Sequence, residues 1–242
     1  MPDMNPQMIL VCGFSATGKS MSLRNLEEQE KWYLLNTEAG KLPPFKHKFR
    51  HYRISNPEDV YEAFEHGKED ANCKGIIVDS LTFLMDMYES QCVLTAADTR
   101  KAWQDYQQYF KVLMQEKVVL FNKPTIFTAH VADQLDEKEL VLKTHVPIKG
   151  ALKGTGVEAY FSTVVAAKRV PIKTLNDYKN DMLHITEEEE ELGFKYVFQT
   201  RLTKDSLGER IRSPFGMFKK EETYIDNDCQ VLLNHLNEFY NN

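Results

Sequence analysis

Residues 13–20 read G-F-S-A-T-G-K-S and follow directly on the apolar run Met8–Cys12. That run reads as a buried strand, and residues 19–30 read as a helix with Leu23 and Leu26 on one face. A strand, a tight glycine-containing loop and a Lys-Ser pair opening a helix together give the context in which this pattern binds phosphate. The glycines let the backbone wrap closely, with its N–H groups turned toward phosphate oxygens. Lys19 sets a cation against the β- and γ-phosphates, and Ser20 offers a hydroxyl to Mg²⁺. The expected nucleotide-binding set is Gly13, Phe14, Ser15, Ala16, Thr17, Gly18, Lys19, Ser20 and Met21. ATP or GTP with Mg²⁺ is the ligand this loop calls for, and the pattern leaves the base open.

Outward from the loop, strands and helices alternate. Trp32–Leu35, Phe49–Ile54, Gly75–Asp79 and Pro124–Val131 read as strands. Asn56-Pro57-Glu58 starts a helix that should stop near His66, before Gly67. Leu81–Tyr88 follows as a helix. In 98–121, Trp103, Tyr106, Phe110, Met114, Val118 and Phe121 recur every three or four residues, one buried stripe on a long helix. This alternation predicts an α/β fold with a mostly parallel sheet covered on both faces. Beyond Val131 the pattern changes. Residues 139–148, 161–170 and 194–202 read as closely spaced strands, an antiparallel extension of the sheet, and 228–240 as a closing helix. The whole of 1–242 is expected to be one core domain.

Three polar residues fall at strand ends, where they would meet the loop. Asp79 closes the apolar strand GIIVD and can hold the Mg²⁺ shell. Glu38, just past WYLLN, can orient and deprotonate a water, or it is an exposed turn residue. His130, at the end of IFTAH, can touch the γ-phosphate, or it is a buried histidine satisfied by backbone.

Composition adds boundaries. The chain is 42% hydrophobic and 27% charged, with net charge −6, a balance that argues against a sequence-independent nucleic-acid binder. The charge is uneven: 41–53, KLPPFKHKFRHYR, is basic, and 186–191, TEEEEE, is acidic, and both read first as solvated loops. Cys12, Cys73, Cys92 and Cys229 make no C-x-x-C pair and read as reduced thiols. No apolar run is long enough for a membrane span, and Met1–Gln7 lacks the features of a secretory signal. A cytoplasmic protein is expected.

The order of loop, strand-T-E-A-G, strand-D-S and strand-T-A-H resembles the RecA-type core P-loop ATPases. The resemblance implies that Glu38 is the catalytic base, that Asp79-Ser80 is the Walker B end, and that His130 stands where the family usually places Gln. Residues 201–215, RLTKDSLGERIRSPF, resemble the family's strand pair that carries cations across a subunit interface. Arg210 would reach a neighbour's ATP, with Lys204 and Arg212 as weaker candidates. The compact phage ATPases that act as single-strand annealing proteins, within the AAA-type phage nucleotide-binding family, are similar over residues 8–216. This likeness implies the core alone, without an N-terminal oligomerisation segment or a C-terminal DNA-binding domain. It also implies a homo-oligomeric ring or filament, single-stranded DNA as partner and a single-strand-binding protein as a further one. DNA would meet the glycine-containing stretch 143–156 through Lys143, Lys149 and Lys153. The functions in view are an ATP-dependent annealing protein, an ATP-latched helicase loader or adaptor, and a small-molecule kinase.

Overall fold

The computed structural model describes residues 7–138 and 140–241. Among the described residues ten strands and eight α-helices form in the order β1 (Met8–Gly13), β2 (Trp32–Asn36), β3 (Arg50–Arg53), α1 (Asp59–Glu69), β4 (Gly75–Asp79), α2 (Leu81–Tyr88), α3 (Thr99–Val112), α4 (Val118–Phe121), β5 (Thr125–His130), β6 (Ala132–Asp136), β7 (Val141–His145), α5 (Leu152–Thr155), β8 (Thr163–Pro171), α6 (Ile172–Leu175), α7 (Glu187–Leu192), β9 (Phe194–Gln199), β10 (Tyr224–Asp226) and α8 (Cys229–Asn241). Eight strands make one sheet in the order β10-β9-β8-β1-β5-β4-β2-β3, and β6 and β7 pair apart from it. β1 pairs parallel with both β5 and β8, and β2 pairs parallel with β3 and β4.

The period of two along each strand divides the core. Leu10, Tyr33, Leu35, Ile76, Val78 and Phe127 face the layer of α1 to α4. Ile9, Val11, Trp32, Leu34, Ile77 and Ile126 face α8 and the loop carrying Met217 and Phe218. The stripe on 98–121 packs as expected: Tyr106, Phe110, Met114, Val118 and Phe121 are buried, and Trp103 is half-buried. A π-turn at Leu113–Lys117 joins α3 to α4 and keeps the stripe on one side. Phe110 is fully buried and its ring meets Tyr160 edge-on. Phe110→Ala is expected to lower the unfolding free energy by about 3–5 kcal/mol. Denaturant titration measures it, and a loss below about 1 kcal/mol would mean that the site collapses around the truncation.

The structure corrects several expectations. No α-helix follows the phosphate loop; Ser20–Leu23 is a single 3-10 turn. In an α-helix the Glu27 N–H would bond the Leu23 carbonyl, but it donates to Gln230 Oε1 at 3.0 Å. The Ser22 hydroxyl bonds back to the Lys19 carbonyl at 2.6 Å. α1 runs through Gly67 instead of stopping before it, because that glycine is a packing contact. A Cβ there would come within 3.1 Å of Ile76 Cδ1 and 3.2 Å of Phe121.

The antiparallel extension holds only for β9 and β10. β8 is parallel to β1, and β7 leaves the sheet to pair with β6, a strand whose polar face conceals its period. Residue 139, the start of the strand expected at 139–148, lies outside the described residues. Residues 201–215, expected as a strand pair, form turns with isolated bridges at Glu209 and Arg212. Gln199 turns the chain aside by donating to the Arg201 carbonyl and the Ser206 hydroxyl. The acidic run 187–192 is a helix, α7, closed by a capping box between Thr186 and Glu189. Its first turn holds Glu187 to Glu190, where the helix dipole favours negative charge.

Candidate functional site

The carboxyl ends of β1, β2, β4 and β5 lie along one edge, with Gly13 level with His130 and Asn36 level with Asp79. The phosphate loop rises from β1 there. Ala16 (φ 60°) and Gly18 (φ 88°) take left-handed backbone, which turns successive N–H groups toward a common centre. A side chain at Gly18 would be strained by that φ and would also put Cβ 2.9 Å from Asn227 Nδ2. Asn227 donates to the Thr17 carbonyl at 3.3 Å and ties the loop to the end of β10. Lys19 is buried under the loop; its Nζ donates to Gly13 O at 3.0 Å and Phe14 O at 2.8 Å. Burial lowers its pKa, against the nearby Asp79 and Glu38 carboxylates.

Asp79 is buried at the end of β4. Burial raises its pKa, opposed by hydrogen bonds from the Thr128 and Ser20 hydroxyls. Thr128 is a polar residue in a buried apolar strand, and that was the available sequence signal for it. The Asp79–Ser80 peptide is cis. Thr37 holds this corner: its hydroxyl donates to Ser80 O and accepts from Ser80 N, each at 2.7 Å. The donors facing the loop's foot are thus an alcohol and a carboxylate, a hard oxygen set that fits Mg²⁺ completed by phosphate oxygens and water. Among the described residues no group of three or more His, Cys, Asp or Glu forms a self-sufficient metal cage.

Glu38 sits in the turn after β2, fixed by its N–H to Asn36 Oδ1 at 3.0 Å. Its carboxylate meets His130 Nε2 at 3.4 Å and Lys41 Nζ at 3.2 Å. On the other side, His130 Nδ1 lies 3.5 Å from Lys19 Nζ. An ammonium only donates, so Nδ1 accepts and the proton sits on Nε2, directed at Glu38. One tautomer therefore serves both contacts. The hydrogen bond from His130, then that from Lys41, outweighs burial and brings the Glu38 pKa down to about 2. Lys41 carries no motif and was missed in the sequence.

These groups line a cleft of about 760 Å³ that continues past the loop to Thr186, Lys195, Tyr196 and Asp226. That far wall belongs to the segment after β8 and was not foreseen. A second cavity of about 390 Å³ lies behind the loop, between Phe14 and β8.

Most of the remaining candidates are engaged elsewhere, although Arg210 lines the cavity behind the loop with Gly13, Phe14 and Thr17. Arg210 donates to the buried Glu158 carboxylate of its own chain at 2.9 Å. Arg212 donates to Ala159 O at 3.3 Å, and Lys204 is exposed. Lys143 pairs with Asp136 and Lys149 with Glu89, each at 2.7 Å, while Lys153 is exposed. Arg210→Ala is expected to cost about 1–2 kcal/mol of stability, since a buried carboxylate loses a charged donor that is itself half in solvent. Urea unfolding at low protein concentration measures this. An unchanged midpoint would mean that the pair adds nothing within the chain.

Sheet order, loop and cleft define a P-loop nucleotide-binding α/β fold. The model of an AAA domain family, AAA_24, matches residues 5–192, and the chain belongs to that family. Among solved structures it is similar to one titled crystal structure of the RadB recombinase, with 15% identity, 69% of this chain and 77% of that chain covered and a TM-score of 0.39. No curated protein matches the chain. Among the described residues no helix is long and apolar enough to cross a membrane.

Proposed function

We propose that this chain is an ATP-dependent single-stranded-DNA binding and annealing protein of phage recombination or replication, working as a homo-oligomeric ring or filament. The observation that carries the reading is the Glu38–His130–Lys19 connection and its closeness in the chain to the β6–β7 hairpin. His130 lies between the proposed base and the phosphate-binding lysine, and the hairpin begins two residues later. A change at the terminal phosphate therefore has a short covalent path to the hairpin and to 143–156. Ser20 and Asp79 would hold Mg²⁺, which neutralises phosphate charge when bound. Glu38 takes the proton of the attacking water, and Lys19 places positive charge where negative charge develops. Among Lys143, Lys149 and Lys153, Lys153 is the cation that needs no rearrangement to meet a phosphate. Arg210 could serve a neighbouring subunit's nucleotide only by leaving Glu158.

The test is phosphate release from ATP by the purified protein, with and without single-stranded DNA at low salt. Stimulation that fades as salt rises is the expected result. ATP binding with feeble turnover whatever is added would replace this reading with a nucleotide-latched loader. Turnover that requires a small acceptor would replace it with a kinase.

A further inference from the structure

We propose that residues 41–53, the edge strand β3 with the basic loop that leads into it, are a second binding surface for the single-stranded DNA backbone. The proposal rests on the preceding reading for the identity of the ligand; the place is independent of it. β3 ends the sheet and, among the described residues, pairs with β2 alone, so one row of its backbone groups is open to that extent.

Charge alone on such an edge guards against pairing with other sheets, and for that purpose either sign serves. Here the sign is uniform. The segment KLPPFKHKFRHYR contains no acid, in a chain of net charge −6. Two of its cations are engaged within the chain, Lys41 with Glu38 and Arg50 with Asp70. Lys46, Lys48 and Arg53 are exposed and have no ion-pair partner among the described residues. The acids sharing a hollow with Lys46 and Lys48 are Glu28 and Glu30, and Glu28 is held by Lys31 and Lys74. The stretch 143–156 presents the opposite case, with two of its three lysines already paired to carboxylates.

The edge also carries an exposed aromatic. The Tyr52 ring is backed by Tyr33 at 5.2 Å, which holds it in place while leaving its outer face in solvent. An aromatic face and backbone cations are the combination by which single strands are held without sequence preference; Tyr52 lies on the Tyr33 side of the sheet and Lys46 and Lys48 border the hollow with Leu26 on the other, so a strand meets both by crossing the edge. Lys41, at the start of the segment, pairs with Glu38 beyond the carboxyl end of β2, whereas Lys48 bonds Gln29 before its amino end, so the segment runs along the length of the edge.

The experiment is fluorescence anisotropy of a labelled oligo-dT with the full chain, across a salt series. The parent is compared with Lys46→Glu/Lys48→Glu/Arg53→Glu and with Lys153→Glu. The triple variant is expected to bind at least about tenfold more weakly, with a log–log salt slope shallower by about 2. Binding of a fluorescent ATP analogue and the thermal midpoint should stay as in the parent. Should the triple variant fail to fold, Lys46→Gln/Lys48→Gln carries the same comparison with milder changes, and Tyr52→Ala is expected to weaken binding by about tenfold. If the parent binds and the edge variants bind equally well, the edge is not the surface and the functional reading stands. If the parent does not bind oligo-dT, both fall. Tighter binding of duplex or of an RNA oligomer of the same length through the same residues would overturn single-stranded DNA as the occupant.

Discussion

Lys19→Ala is expected to release phosphate from ATP about 10²–10³-fold more slowly than the parent and to bind nucleotide weakly. The side chain does two things that alanine cannot. Its ammonium bonds the carbonyls of Gly13 and Phe14, 3.0 and 2.8 Å away, and so ties the start of the loop to its end. It is also a buried cation at the centre of the loop, in surroundings where a charge interacts far more strongly than in water. Lys19→Arg should not restore activity, because a planar guanidinium does not fit a pocket shaped for a compact ammonium. Phosphate release, binding of a fluorescent ATP analogue and far-UV circular dichroism separate lost chemistry from lost fold. Turnover at the parent rate in a folded Lys19→Ala would show that residues 13–20 are not the phosphate site.

Glu38→Gln has the second largest expected effect: nucleotide binding retained, with turnover down by about 10²–10⁴. Glutamine keeps the shape and can still meet His130 and Lys41, but it has no basic oxygen to accept a proton from water. With its pKa at about 2, Glu38 is ionised throughout the physiological range, so the acid limb of the rate profile near neutrality should not come from this residue. The stability effect has a definite sign. The folded-state value lies below the ordinary 4.5, so the pairing stabilises the fold fully above 4.5. That contribution is lost as pH falls from about 4.5 to about 2. Urea midpoints at about pH 7, 4 and 2.5 should therefore fall more steeply in the parent than in Glu38→Gln. Parallel curves would mean that the His130 and Lys41 contacts do not hold the carboxylate in solution, and unimpaired turnover would remove Glu38 from the role of base.

The phosphate loop, Asp79, Glu38 and the stripe on 98–121 were legible because each is a local pattern. A strand that ends in a polar residue delivers that residue to the sheet's edge whatever the rest of the chain does. Tyr106, Phe110 and Met114 share a face because of helical spacing alone. The pairings of the polar residues had no such signal. Lys149 meets Glu89, and Arg210 meets Glu158, across gaps of 60 and 52 residues, and no composition window joins those positions. The wall of the cleft near Tyr196 and Asp226 depends on how the segment after β8 folds back, and that too has no local mark. Gly67 shows the converse error. A glycine that reads as a helix stop sits inside the helix, where a Cβ would crowd Ile76 and Phe121 at 3.1 and 3.2 Å.

The sequence by itself determined that β1 feeds a glycine-containing loop of the phosphate-binding pattern and that buried strands alternate with helices. It also determined that an acid and a histidine stand at strand ends beside that loop. These come from backbone periodicity and from the few side chains able to cradle phosphate. Tertiary structure alone decided that β8 joins β1 in parallel and that β6 and β7 leave the sheet. It replaced the helix after Lys19 with one 3-10 turn held by α8, and it set His130 between Glu38 and Lys19. It also paired two of the three lysines of 143–156 with carboxylates while leaving Lys46, Lys48 and Arg53 of 41–53 exposed. The reason is common to all of these: strand pairing, hydrogen bonding and charge neutralisation are contests among groups distant in the chain, and only the folded packing brings the competitors within reach of one another.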